Sequence, residues 1–153
     1  KQKHMNMIDL ATSVWALGTL RAGKQGEWAR YLDHWQKMYM RSETGFSKRE
    51  IFNVLYGFGK LMVNLRNKQI GPMLVQNAFA AAEDWLPEDV AHMVWVIPKT
   101  KLELSEQEWQ TLENAIYVLE KDFTTPQIMQ MHFAFQEMGD TAKIKMPAFM
   151  QVF

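Results

Sequence analysis

The chain has 153 residues, 48% of them hydrophobic and 22% charged, so at roughly 150 residues per domain it reads as one compact domain, 1–153, too apolar to be disordered. Seventeen basic and seventeen acidic residues cancel, which excludes a strong global field and leaves only local segregation of charge. Cysteine is absent, removing disulfides, thiolate metal sites and cysteine nucleophiles, and no run approaches the roughly 18 apolar residues of a membrane span, so no membrane insertion is expected.

The first predicted helix opens at Asn6, with Asp9 three residues later and an apolar pair, Met5 and Leu10, at hydrophobic-staple spacing. The same opening recurs at Ser47 with Glu50, Phe46 and Ile51; at Leu86 with Asp89, Trp85 and Val90; and at Thr124 with Gln127, Phe123 and Ile128. Leu86 cannot cap with its side chain, and Pro87 at the first helical position partly compensates. Leu10, Ile51, Val90 and Ile128 are separated by 41, 39 and 38 residues, a period of about 40.

Between these helices lie second helices with amphipathic spacing. Trp28, Tyr31, Leu32, Trp35, Met38 and Tyr39 mark one; Met73, Leu74, Ala78, Phe79 and Ala82 the next; Trp109, Leu112, Ala115, Ile116 and Leu119 the third. A fourth is expected to begin near Met146. A helix-turn-helix unit cannot bury its apolar face alone, and stacking completes the core. The expected architecture is all-α, an α-solenoid of about four repeats over approximately 5–45, 46–84, 85–122 and 123–153. The chain lacks an initiator Met and stops inside an apolar stretch, so it is read as part of a longer one.

Two columns of the first helices suggest packing. Trp15, Tyr56, Trp95 and Phe133 each precede a small residue or valine, namely Ala16, Gly57, Val96 and Ala134, and are expected to be buried between repeats. Gly57 and Gly59 each cost roughly 1 kcal/mol against Ala inside a helix, which close helix-helix approach would offset. Pro98 is expected to interrupt the third first-helix.

No catalytic constellation appears. There is no phosphate-binding loop, dinucleotide fingerprint or nucleophile elbow. His4, His34, His92 and His132 offer no pair at i, i+4, and Glu83-Asp84 and Glu88-Asp89 suit the positive end of a helix dipole. The chain is therefore read as a non-enzyme without a cofactor or metal.

Two sets of residues are candidates for binding. Arg21 and Lys24, Arg66 and Lys68, Lys99 and Lys101, and Lys143 and Lys145 fall at equivalent first-to-second-helix turns, where stacking would align them as a basic edge suited to a phosphate backbone. Helix dipoles alone explain the same placement. The opposite turns carry Glu43, Glu83, Asp84, Glu120 and Asp122, blurred by Arg41, Lys48, Arg49 and Lys121. The polar column Thr12, Asn53, His92 and Gln130 lies about 200° around the helix from the Leu10 column, so it should face outward toward RNA or a partner chain.

The string Leu10-Ala11-x-x-x-Trp15-Ala16-Leu17-Gly18-x-Leu20, after an acidic first turn, resembles the signature of organellar helical-repeat proteins of the octotricopeptide, heptatricopeptide and FAST-kinase-like type that accompany RAP domains. Tyr56-Gly57-Phe58-Gly59-Lys60-Leu61 repeats part of it. The resemblance implies an RNA-associated protein of the mitochondrion, or alternatively the chloroplast, acting in RNA stability, processing or translation. Some such proteins are structural components of mitochondrial ribosomes, which would make the RNA ribosomal and add protein subunits as partners. The alternative is a protein-protein scaffold of an organellar complex with no direct RNA contact, which the balanced charge favours.

Overall fold

A computed structural model describes residues 6–20, 28–42 and 45–152. Among them every regular element is helical: α1 (Met7–Leu20), α2 (Trp28–Met40), α3 (Lys48–Leu61), α4 (Ile70–Phe79), a 3₁₀ turn (Ala82–Asp84), α5 (Pro87–Thr100), α6 (Glu106–Val118), α7 (Thr125–Met138), α8 (Asp140–Lys145) and α9 (Pro147–Val152). No helix among the described residues is long and apolar enough to cross a membrane.

The four first helices have 14 residues each and begin at the sequence-predicted caps. Ser47 accepts the Glu50 amide while Glu50 accepts the Ser47 amide, and Asn6 with Asp9 makes the same exchange. At Leu86 and Thr124 only the returning half forms, from the backbone amide to Asp89 at 2.8 Å and to Gln127 at 2.9 Å. Orphan first-turn donors are thereby satisfied from within each turn. The staple residues Phe46 and Ile51, and Trp85 and Val90, are buried as expected. Ile128 is exposed, and Met5 and Glu43 lie outside the described residues.

Packing runs from α1 to α3, from α3 to α5 and from α5 to α7, and α2, α4 and α6 each contact the long helix that precedes them. The helices meet where side chains vanish. A Cβ on Gly18 would stand 2.6 Å from the Gly57 Cα, and one on Gly57 would strike the Val14 carbonyl of α1, so the mid-helix glycines do permit close approach. Two aromatic clusters fill the space under the second helices. Trp35 meets Tyr39, Phe46 and Phe58 and donates its indole N–H to the Leu10 carbonyl at 3.2 Å. Trp85 meets Phe52 and Phe79 and donates to the Ala78 carbonyl at 3.2 Å.

Three expectations need correction. α5 runs through Pro98 to Thr100: a proline removes one intrahelical bond, and the buried Val96, Ile97 and Thr100 hold the last turn in place. A helix does begin near Met146 as expected, since α9 opens at Pro147 with Met146 the buried joint before it, but Gly139 at φ 58° first turns the chain into an additional short helix, α8. Lys143 and Lys145 therefore lie on a helix rather than in a turn. Most importantly, the aromatic column is not core. Trp15 is 42% and Phe133 56% exposed, while Tyr56 and Trp95 are half-buried.

Candidate nucleic-acid interface

Helix geometry explains where the aromatic column goes. At 100° per residue, Trp15, Tyr56, Trp95 and Phe133 lie about 140° from the Leu10 column, the Thr12 column about 200°, and the column of Thr19, Lys60, Lys99 and Glu137 about 180°. All three columns share one arc, opposite the second helices. The aromatic core comes instead from staple positions such as Phe46 and Trp85, from the second helices at Trp35 and Trp109, and from other faces of α3 and α7 at Phe52, Phe58 and Phe135.

The face is most developed on α3 and α5. The Tyr56 and Trp95 rings stand 5.8 Å apart between centroids at an interplanar angle of 31°, and the His92 ring lies 5.7 Å from Tyr56. The Lys60 ammonium rests over both larger rings, 5.4 Å from Tyr56 and 5.6 Å from Trp95, where the ring quadrupoles attract a cation. Gly59 makes this arrangement possible, since a Cβ there would meet the Trp95 ring at 2.5 Å. Burial pushes the His92 imidazole below its ordinary range, against the opposing pull of Glu88 and Asp89, so the neutral ring is favoured. A neutral imidazole has one donor and one acceptor, the chemistry of a base edge.

Of the polar column, Thr12 is exposed, whereas Asn53, His92 and Gln130 are half-buried. Lys60 belongs to none of the basic pairs in the sequence. Its signal was its spacing from Tyr56, one helical turn.

The basic edge fares differently. Arg21 and Lys24 lie outside the described residues. Of the other six, Arg66 pairs with Glu103 at 3.2 Å, Lys99 with Glu137 at 2.6 Å, Lys143 with Asp140 at 3.5 Å, and Lys145 with Glu106. Lys68 and Lys101 are exposed and have no ion pair among the described residues. Three of these four pairs join residues 37 to 39 positions apart in the chain, so these cations are occupied by acids of the same chain. Lys48 does likewise on the other edge, reaching Asp89 at 3.1 Å and the Asp84 carbonyl at 2.9 Å. Among the described residues no group of three metal-ligating side chains could hold an ion. No family model, curated protein or solved structure gives a significant match to this chain.

Proposed function

We propose that this chain is an α-solenoid of about four helical hairpins that binds single-stranded RNA through the exposed face of α1, α3, α5 and α7. The observation that carries the reading is the partly solvent-facing stripe Trp15, Tyr56, Trp95 and Phe133, flanked by Thr12, Asn53, His92 and Gln130 and by Lys60. Every nucleobase has a π-face, and stacking on an aromatic side chain contributes about 1–3 kcal/mol per base without requiring high net charge. Polar side chains beside the rings meet base edges, and Lys60, with Lys68 and Lys101, supplies phosphate contacts. This fits a chain whose charges cancel better than a mechanism resting on a basic edge alone. Equal first-helix lengths, the α1–α3–α5–α7 packing order and ion pairs spaced by about one repeat support the solenoid.

The organellar setting rests on the sequence resemblance: a mitochondrial protein, or alternatively a chloroplast one, acting in RNA stability, processing or translation, with ribosomal RNA and ribosomal proteins as the partners if it is a ribosome component. No catalytic step is part of the reading. The competing scaffold reading is favoured by the cations already paired within the chain.

Binding of a fluorescent single-stranded oligonucleotide tests the choice. Trp15→Ala with Phe133→Ala removes two exposed rings and should weaken affinity by about tenfold or more. Unchanged affinity, or no binding by the parent chain, returns the scaffold reading. Co-sedimentation with organellar ribosomes that is lost after nuclease treatment would support the RNA contact in its assembly.

A further inference from the structure

The exposed sides of the second helices differ from one to the next. Trp35, Leu74 and Leu112 are the buried centres of α2, α4 and α6, and the residue two positions after each stands about 200° round its helix, on the exposed line. With one turn added on either side, α2 and the residue following it present Asp33, Lys37 and Arg41 there, the charged surface expected of a helix facing water. α4 with Ala80 presents Pro72, Gln76 and Ala80, and α6 presents Gln110, Asn114 and Val118, all exposed and none charged. Residues 69–82 hold no acidic, basic or histidine side chain, in a chain of which 22% is charged. Such depletion of charge is the composition of an interface centre. α4 follows α3, which packs on both α1 and α5, so its face is not opened by an end of the array. Just beyond α4 charge returns, with opposite sign at the two ends. Lys68 stands before its first turn, and Glu83 and Asp84 lie in the 3₁₀ turn after its last; all three are exposed and none has an ion pair among the described residues.

We infer that a second copy of this chain covers this face, related by a two-fold axis that crosses α4 at Gln76 and α6 at Asn114. Charge complementarity selects both the occupant and its direction. With α4 antiparallel to its counterpart, Pro72 falls opposite the partner's Ala80 and Lys68 opposite the partner's Asp84, so a free cation meets a free acid twice in each dimer. A parallel arrangement would set Lys68 against itself and Asp84 against itself. The amides of Gln76 and Asn114 lie on the axis, and an amide both donates and accepts, so each can bond its own copy. On α6, Gln110 falls opposite the partner's Val118, while Glu106, already held by Lys145, falls opposite the partner's Asp122. The same surface serves on both sides, so the contact closes at two copies. Helices of about 15 and 20 Å make a small interface, and the dimer should therefore dissociate on dilution. In it Lys68 serves the partner instead of RNA, and the aromatic face of each copy stays open with Lys60 and Lys101.

Sedimentation of the chain without RNA tests this separately from RNA binding. The average mass of the parent chain should rise with concentration and level off at the dimer. Gln76→Lys with Asn114→Lys sets like charges on the axis and should give monomers, with helical content unchanged because both sites are exposed. Lys68→Asp alone, and Glu83→Lys with Asp84→Lys alone, each turn two attractions per dimer into two repulsions and should raise the dissociation constant about tenfold or more. All three substitutions in one chain reverse both ends together and should restore the parent affinity. Gln136→Lys, exposed on α7 and off this face, should associate like the parent. A parent chain that stays monomeric at its highest soluble concentration, a mass that climbs past the dimer, or a triple variant that stays as weak as the single-ended ones would overturn the inference.

Discussion

His92 shows how one residue joins the exposed face to stability. Desolvation lowers its proton affinity in the fold, and Glu88 and Asp89 only partly restore it. Above the unfolded value of 6.5 the ring is neutral in both states and pH has no effect through it. As pH falls through that value the unfolded chain takes up the proton first, so stability is lost until the folded-state value is passed. Denaturation midpoints measured between about pH 7.5 and 5 should therefore fall less for His92→Gln than for the parent chain. An equally steep fall in both would mean that His92 is as freely hydrated as in the unfolded chain.

At the scale of elements, the contacts between helices set the period. Gly57→Ala improves helix propensity by roughly 1 kcal/mol, yet its methyl would enter the Val14 backbone of α1, which cannot move aside without separating two helices. The net effect should be a loss of several kcal/mol, in the range of overpacked cores or beyond, read as a lower denaturation midpoint. Asn77 is a comparable polar joint between α4 and the chain entering α3. Its Oδ1 accepts from the Phe46 amide at 2.8 Å and the Tyr39 hydroxyl at 3.2 Å, while its Nδ2 donates to the Phe46 carbonyl at 2.9 Å. Asn77→Asp loses the donor and sets a carboxylate against that carbonyl. It should cost about 1–3 kcal/mol in equilibrium unfolding, whereas the nearby exposed Gln76→Glu should stay within about 0.5 kcal/mol.

For the whole molecule, charge cancellation is local as well as global. Arg66 and Lys99 are held by Glu103 and Glu137, partly exposed pairs worth about 0–1 kcal/mol each. Glu103→Gln with Glu137→Gln would release both cations and raise net charge by two, at little expense in stability. If the basic edge lies along bound RNA, affinity should increase and the slope of log affinity against log salt should steepen by about 0.7 for each new phosphate contact. An unchanged slope would confine RNA contact to the aromatic face.

Helix existence, helix starts and the period of about 40 were legible because they depend on neighbours in sequence. An N-cap, its partner three residues on and a staple across five residues form within one turn, so Ser47, Glu50, Phe46 and Ile51 announce a helix start in any fold. The glycine prediction also held, because no local advantage compensates a mid-helix glycine and the remaining reason is steric. Whether an aromatic ring is core or surface is not local. Trp15 and Trp35 are both tryptophans at amphipathic spacing, but Trp35 is buried against Leu10 of α1 and Phe58 of α3 while Trp15 stays 42% exposed. The fate of a charge is equally tertiary: Lys99 looked available until α7 brought Glu137, 38 residues later in the chain, within 2.6 Å. Sequence by itself determined the helices and their spacing, through interactions closed within a turn. Tertiary structure alone decided which side chains stayed exposed and which cations were paired, because both depend on what a helix distant in sequence places opposite.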